Sequence, residues 1–104
     1  AYWSGGPGLS AALGTWLREF RPTVTAVGMD MISVTSRLHR EAGRAAHRAF
    51  LDPEAAGRPI RLIEDMCLGG VPGDLGWVLV SPFMLASADG APVTVWGFPN
   101  SAMP

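Results

Sequence analysis

The spacing of apolar residues changes character along the chain. Leu9, Leu13, Trp16, Leu17 and Phe20 recur at i, i+4, i+7, i+8 and i+11, an apolar stripe of helical period. Ser10 offers an N-cap and Arg21-Pro22 a stop, so this spacing predicts a helix over about residues 10–20. The next segment, Thr23 to Met29, is rich in β-branched residues and ends at Asp30, the pattern of a buried strand. A helix, a short turn and a strand form a unit of α/β architecture. Residues 31–36 fit extended chain or loop equally. From Arg37 to Leu51 the helical period returns, with Leu38, Ala42, Ala45 and Ala49 on one face. Arg37, Arg40, Arg44 and Arg48 fall on another, the signature of a solvated face.

The remainder reads mostly as strand and turn. Asp52-Pro53 through Gly57-Arg58-Pro59 is a surface loop, and Ile60 to Ile63 is a short strand leading into Glu64-Asp65. Residues 69–74 carry turn chemistry. Trp77 to Val80 is apolar on both faces, as a central strand would be. Phe83 to Ala86 and Val93 to Phe98 flank Ala88-Asp89-Gly90-Ala91-Pro92, whose Asp-Gly marks a hairpin. The expected fold class is therefore α/β, two helices followed by mostly β-strands.

Composition narrows the classes. A chain of 104 residues, 48% hydrophobic, has room for one domain or part of one. Eight basic residues, all Arg, nearly cancel nine acidic ones, so the chain has no net basic charge to neutralise phosphates and no nucleic-acid partner is expected. The apolar runs are far shorter than the roughly 20 residues that span a bilayer, and no basic segment precedes an apolar stretch as in a signal peptide. Cys67 is alone and suits a reducing compartment. A soluble, cytoplasmic protein is expected. The opening Ala1-Tyr2-Trp3 reads like the middle of a fold, which implies a segment upstream of it.

Few residues could carry catalysis: His39, His47, Asp30, Glu64, Asp65 and Cys67. Gly5-Gly6-Pro7-Gly8 lacks the preceding strand and the Lys of a phosphate loop, and there is no Gly-x-Ser-x-Gly elbow or Cys-x-x-Cys pair. On one straight helix, His39 and His47 would be separated by a rise of about 12 Å. Donors about 2 Å from one metal cannot stand that far apart, so at most one of them is a ligand. Glu64 and Asp65 follow a strand, where open α/β sheets build sites, and only one of two adjacent side chains can turn inward. Cys67 reads as a small buried hydrophobe.

Several phrases, in order, resemble the cyclase family of metal-dependent hydrolases, which includes bacterial kynurenine formamidase (arylformamidase), isatin hydrolase and some polyketide cyclases. Pro7-Gly8-Leu9-Ser10 opens a helix with Trp16-Leu17, and Val24 to Asp30 with Ser33 is similar to the family's Val-Gly-x-Asp strand and following Ser. Ala46-His47-Arg48 resembles its Ala-His-Arg helix, and Ile60 to Glu64 its Pro-Ile-x-Glu strand. Trp77 to Pro82, followed by Asp89 to Val93, resembles its closing hairpin. The likeness covers roughly residues 3–98. Met31-Ile32 replaces the family's Thr-Pro, Thr94 stands where an Arg is common, and Asp52 to Pro59 looks like an insertion.

The resemblance implies the C-terminal part of a swivelling β/β/α-like domain, residues 1–104 forming a single partial domain. It implies that His47 and Glu64 ligate a divalent metal, Zn²⁺ or Mn²⁺, and that a homo-oligomer forms. The other ligands and a catalytic His belong to a His-x-Gly-Thr-His-x-Asp motif in an N-terminal half that would come as a companion chain or segment. The implied activity is hydrolysis of an aryl formamide or cyclic amide by metal-activated water, with Trp3 and Trp77 as candidate walls for a flat substrate and the chain inactive alone. Two alternatives stand beside it: a polyketide-type cyclase on the same metal scaffold, and a non-catalytic remnant serving interaction or dimerisation.

Overall fold

Ser10 caps the first helix as its position predicts: its Oγ accepts the Leu13 N–H at 3.2 Å, and α1 runs Ala11–Phe20. The computed structural model describes residues 5–71 and 73–102. The chain falls into two compact units divided between Leu68 and Gly69. Trp3, the start of the opening loop, Pro72 of the predicted turn and the final two residues lie outside the described residues.

In the first unit, β1 (Ala26–Gly28) and β2 (Arg61–Ile63) pair in parallel, with Val27 opposite Leu62. Between them comes α2 (Arg40–Leu51), giving a strand–helix–strand crossover. One strand thus precedes the second helix, and the order is not simply helices and then strands. Both strands are shorter than the apolar runs that predict them. β1 is trimmed to three residues and partly exposed, because the Val24 N–H closes a turn on the Arg21 carbonyl and the chain leaves the ladder at Met29. The core gathers Met29, Val34, Ala46, Phe50 and Ile60, with Leu9, Leu17, Val24, Val27, Met31 and Leu62 packed around them.

Both helices turn a different face inward than their apolar stripes suggest. On α1 the buried residues are Gly14 and Arg18, whereas Leu13, Trp16 and Phe20 are exposed. Gly14 lets α2 approach closely, since a Cβ there would lie 3.0 Å from the Phe50 ring. Arg18 is 5% exposed. Its guanidinium donates to the carbonyls of Ala49, Phe50, Asp52, Ala55 and Gly57 at 2.7–3.4 Å. The last carbonyls of a helix lack partners and carry its negative end, so a buried cation is matched there without a carboxylate.

On α2 the buried residues are Gly43, Ala46 and Phe50, one position round from the predicted Ala42, Ala45 and Ala49 arc, and Leu38 is exposed. The helix starts three residues later than its periodicity suggests because residues 36–39 form a turn, closed by the His39 N–H on the Ser36 carbonyl. Arg37, Arg40, Arg44 and Arg48 are exposed, as the charge pattern indicates.

The second unit is an antiparallel hairpin, β3 (Leu75–Pro82) with β4 (Val93–Pro99), followed by a 3₁₀ turn at Asn100–Ala102. Trp77 to Val80 form a strand, but not a central buried one. The sheet has two strands, and Trp77, Val78, Leu79, Val80, Trp96 and Phe98 are all exposed. Phe83 to Ala86 are not a strand. They belong to the connection between β3 and β4, which also holds Asp89-Gly90. The architecture is mixed α/β, and among the described residues no helix is long and apolar enough to cross a membrane.

Candidate functional site

Beyond β2 the chain bends sharply. Asp65 takes a positive φ of 55°, its N–H donates to the Met31 carbonyl at 2.8 Å, and the Met66 N–H donates to the Met29 carbonyl at 2.9 Å. This bend separates two adjacent carboxylates. Asp65 points to solvent, while Glu64 turns inward with its side chain 29% exposed.

Residues 33–35, following β1, form a strap across the Glu64 carboxylate. Glu64 Oε1 accepts the Val34 N–H at 2.7 Å and the Ser33 hydroxyl at 3.1 Å. Ser33 Oγ in turn accepts the Thr35 N–H at 3.1 Å, so the hydroxyl both receives and passes on a hydrogen bond. These contacts hold one carboxylate oxygen in place, at the carboxyl end of a parallel strand pair where open sheets build sites.

The third strap residue reaches the histidine. Thr35 Oγ1 lies 3.1 Å from His47 Nδ1, and the Gly43 carbonyl, one helical turn before His47, lies 3.1 Å from the same nitrogen. A carbonyl can only accept, so Nδ1 carries a hydrogen directed at it. The other nitrogen, Nε2, faces Glu64 Oε1 across 3.5 Å. With a hydrogen on Nδ1, the neutral ring turns the Nε2 lone pair toward that oxygen, and a cation bound by both donors would sit between them. Two donors each about 2.0–2.2 Å from one ion can stand this far apart, so the pair fits a divalent metal.

Among the described residues, no cluster of three or more His, Cys, Asp or Glu could hold a metal ion. His39 caps the N-terminus of α2 through its backbone and is exposed. Asp30 and Asp65 are exposed, and Cys67 is too, not the buried hydrophobe its type suggests, because it follows the bend at Asp65. Trp77 belongs to the hairpin unit. The site thus brings together His47, Glu64 and Ser33, and adds Val34, Thr35 and Gly43, which the sequence does not single out. Their pairing joins a loop to a helix, and no periodicity encodes it.

A cavity of about 440 Å³ adjoins the strap, lined by Pro7, Met31, Ile32 and Arg37 and by Ser33 and Thr35. Neither His47 nor Glu64 is among its lining residues, so the cavity meets the pair through the strap. Comparison with models of known families, with curated proteins and with solved structures gives no match.

Proposed function

We propose that this chain is the C-terminal part of a metal-dependent amidohydrolase of the cyclase-family type, acting on an aryl formamide or cyclic amide. The observation that carries this reading is the His47 Nε2–Glu64 Oε1 pair, two donors converging at 3.5 Å, with His47 held through its opposite nitrogen and Glu64 through the same oxygen that faces the ring. An imidazole and a carboxylate suit Zn²⁺ and Mn²⁺ alike. Two donors leave either ion underbound. The remaining ligands and the catalytic His come, in this reading, from a segment outside these residues carrying the His-x-Gly-Thr-His-x-Asp motif.

A divalent metal bound there supplies Lewis acidity that lowers the pKa of water and polarises an amide carbonyl. The residues of this chain hold and orient. Glu64 presents a carboxylate whose Oε1 is steadied by Val34 and Ser33, and His47 presents a lone pair on Nε2 because Nδ1 is engaged. The cavity beside the strap, walled by Pro7, Met31 and Ile32, is within the size range of small-molecule pockets and is compatible with an aryl group. The test is metal content and aryl formamide turnover of the complete protein and its His47→Ala and Glu64→Ala variants. Both variants should lose metal and turnover, and wild-type values in both would end this reading.

A second reading, an interaction module without catalysis, draws support from the hairpin, whose strands carry no charged residue and leave Trp77, Leu79 and Trp96 more than half exposed. Tight, stoichiometric metal binding by these 104 residues would eliminate it.

A further inference from the structure

The ring of His47 could present either nitrogen to Glu64, and the site contains a device that chooses. Which imidazole nitrogen binds a metal is set by the hydrogen bond that the other one makes. Here the other nitrogen, Nδ1, carries one hydrogen shared by two acceptors on two different elements: the Gly43 carbonyl on α2 and Thr35 Oγ1 on the strap, both at 3.1 Å. The carbonyl partner comes with the helix. The Thr35 hydroxyl does not, and it reaches the ring only because residue 43 has no side chain. A Cβ on Gly43 would overlap the Thr35 side chain.

We propose that Thr35 is a positioning residue for the metal pair, its hydroxyl holding the His47 ring so that Nε2, and not Nδ1, faces Glu64. The inference rests on the metal reading above for its purpose, but not for its geometry. In this role Thr35 acts through His47 and not as a ligand. The same strap fixes Glu64 through Ser33 and Val34, so residues 33–35 set the orientation of both donors together. Thr35 also lines the neighbouring cavity, so it connects that pocket with the ligand pair.

The test compares the complete wild-type protein with Thr35→Val, which keeps the shape and removes the hydroxyl, and Thr35→Ser, which keeps the hydroxyl. The first readout is the orientation of the metal-free His47 ring, from NMR contacts of its two carbon-bound protons, assigned with the aid of His39→Gln. The second is Zn²⁺ affinity by calorimetry, with far-UV circular dichroism as the check on folding. A single ring orientation is expected in wild type and Thr35→Ser, and two in Thr35→Val. Zn²⁺ affinity should fall about 10-fold or more in Thr35→Val, the usual scale for removing a partner behind a ligating His, and return in Thr35→Ser. One ring orientation in all three proteins would overturn the proposal, whether or not Zn²⁺ binds. Absence of Zn²⁺ binding by the complete wild-type protein, with the ring effect intact, would instead sink the metal reading and leave the positioning role standing.

Discussion

The Val34 N–H donates to Glu64 Oε1 at 2.7 Å, and Val34 is itself completely buried. The candidate ligand is therefore also a structural acceptor, tied to the core of the first unit. These two roles can be separated. Glu64→Ala leaves a buried N–H unsatisfied and should cost about 1–3 kcal/mol, read from urea denaturation. Glu64→Gln keeps an acceptor oxygen and should stay within about 1 kcal/mol of wild type. Its Zn²⁺ affinity should nevertheless fall, because the charge is gone. A Glu64→Gln protein as unstable as Glu64→Ala would mean that the ionised carboxylate itself holds the strap.

Arg18 joins α1 to the C-terminal end of α2 and the loop after it through five carbonyls. Arg18→Ala should destabilise the chain by about 2–4 kcal/mol, since five buried or part-buried carbonyls lose an Arg18 hydrogen bond at once. Arg18→Lys should recover only part of that, because a single ammonium cannot reproduce the planar fork. Equal stability of the Lys variant and wild type, in the same denaturation experiment, would contradict this account.

Gly43 gives a change of sign. In an exposed helix interior, Gly→Ala usually stabilises by about 1 kcal/mol. Here the added methyl would overlap Thr35, so Gly43→Ala should lower the midpoint of thermal unfolding. The double variant Gly43→Ala with Thr35→Gly removes the overlap and should recover stability relative to Gly43→Ala alone. A stabilised single variant would show that the strap moves away freely.

The hairpin pairs Trp77 with Phe98 and Leu79 with Trp96, so these four side chains share one face. An exposed apolar face on a sheet whose strands carry no charge invites association. The isolated chain should sediment as more than a monomer. Replacing Trp77, Leu79 and Trp96 together by Ser should shift it toward monomer. Unchanged sedimentation would place the contact elsewhere, for example on the exposed Leu13, Trp16 and Phe20 stripe of α1.

Local signals were legible where local chemistry decides. The Ser10 cap, the Arg21 stop, the solvated Arg stripe and the inward turn of just one of Glu64 and Asp65 all follow from rules that act over a few residues. What could not be read was the choice of buried face. Leu13, Trp16 and Phe20 are the more apolar arc of α1, yet Gly14 and Arg18 face α2, because close approach and capping of a distant helix end decide the packing. Trp77 to Val80 misled in the same way. A continuous apolar run predicts cover on both faces, and within the described residues the hairpin contains only two strands. At the site, His47 and Glu64 entered through resemblance, whereas Thr35 and Gly43 became visible only when loop and helix met.

The most direct measurement is a Zn²⁺ titration by calorimetry of the complete wild-type protein, with the segment that supplies the remaining ligands, beside its His47→Gln and Glu64→Gln variants, with folding checked for each. One equivalent should bind to wild type, and each substitution should weaken binding about 10-fold or more. Equal affinity in all three folded proteins would contradict the assignment of His47 and Glu64 as a metal-holding pair.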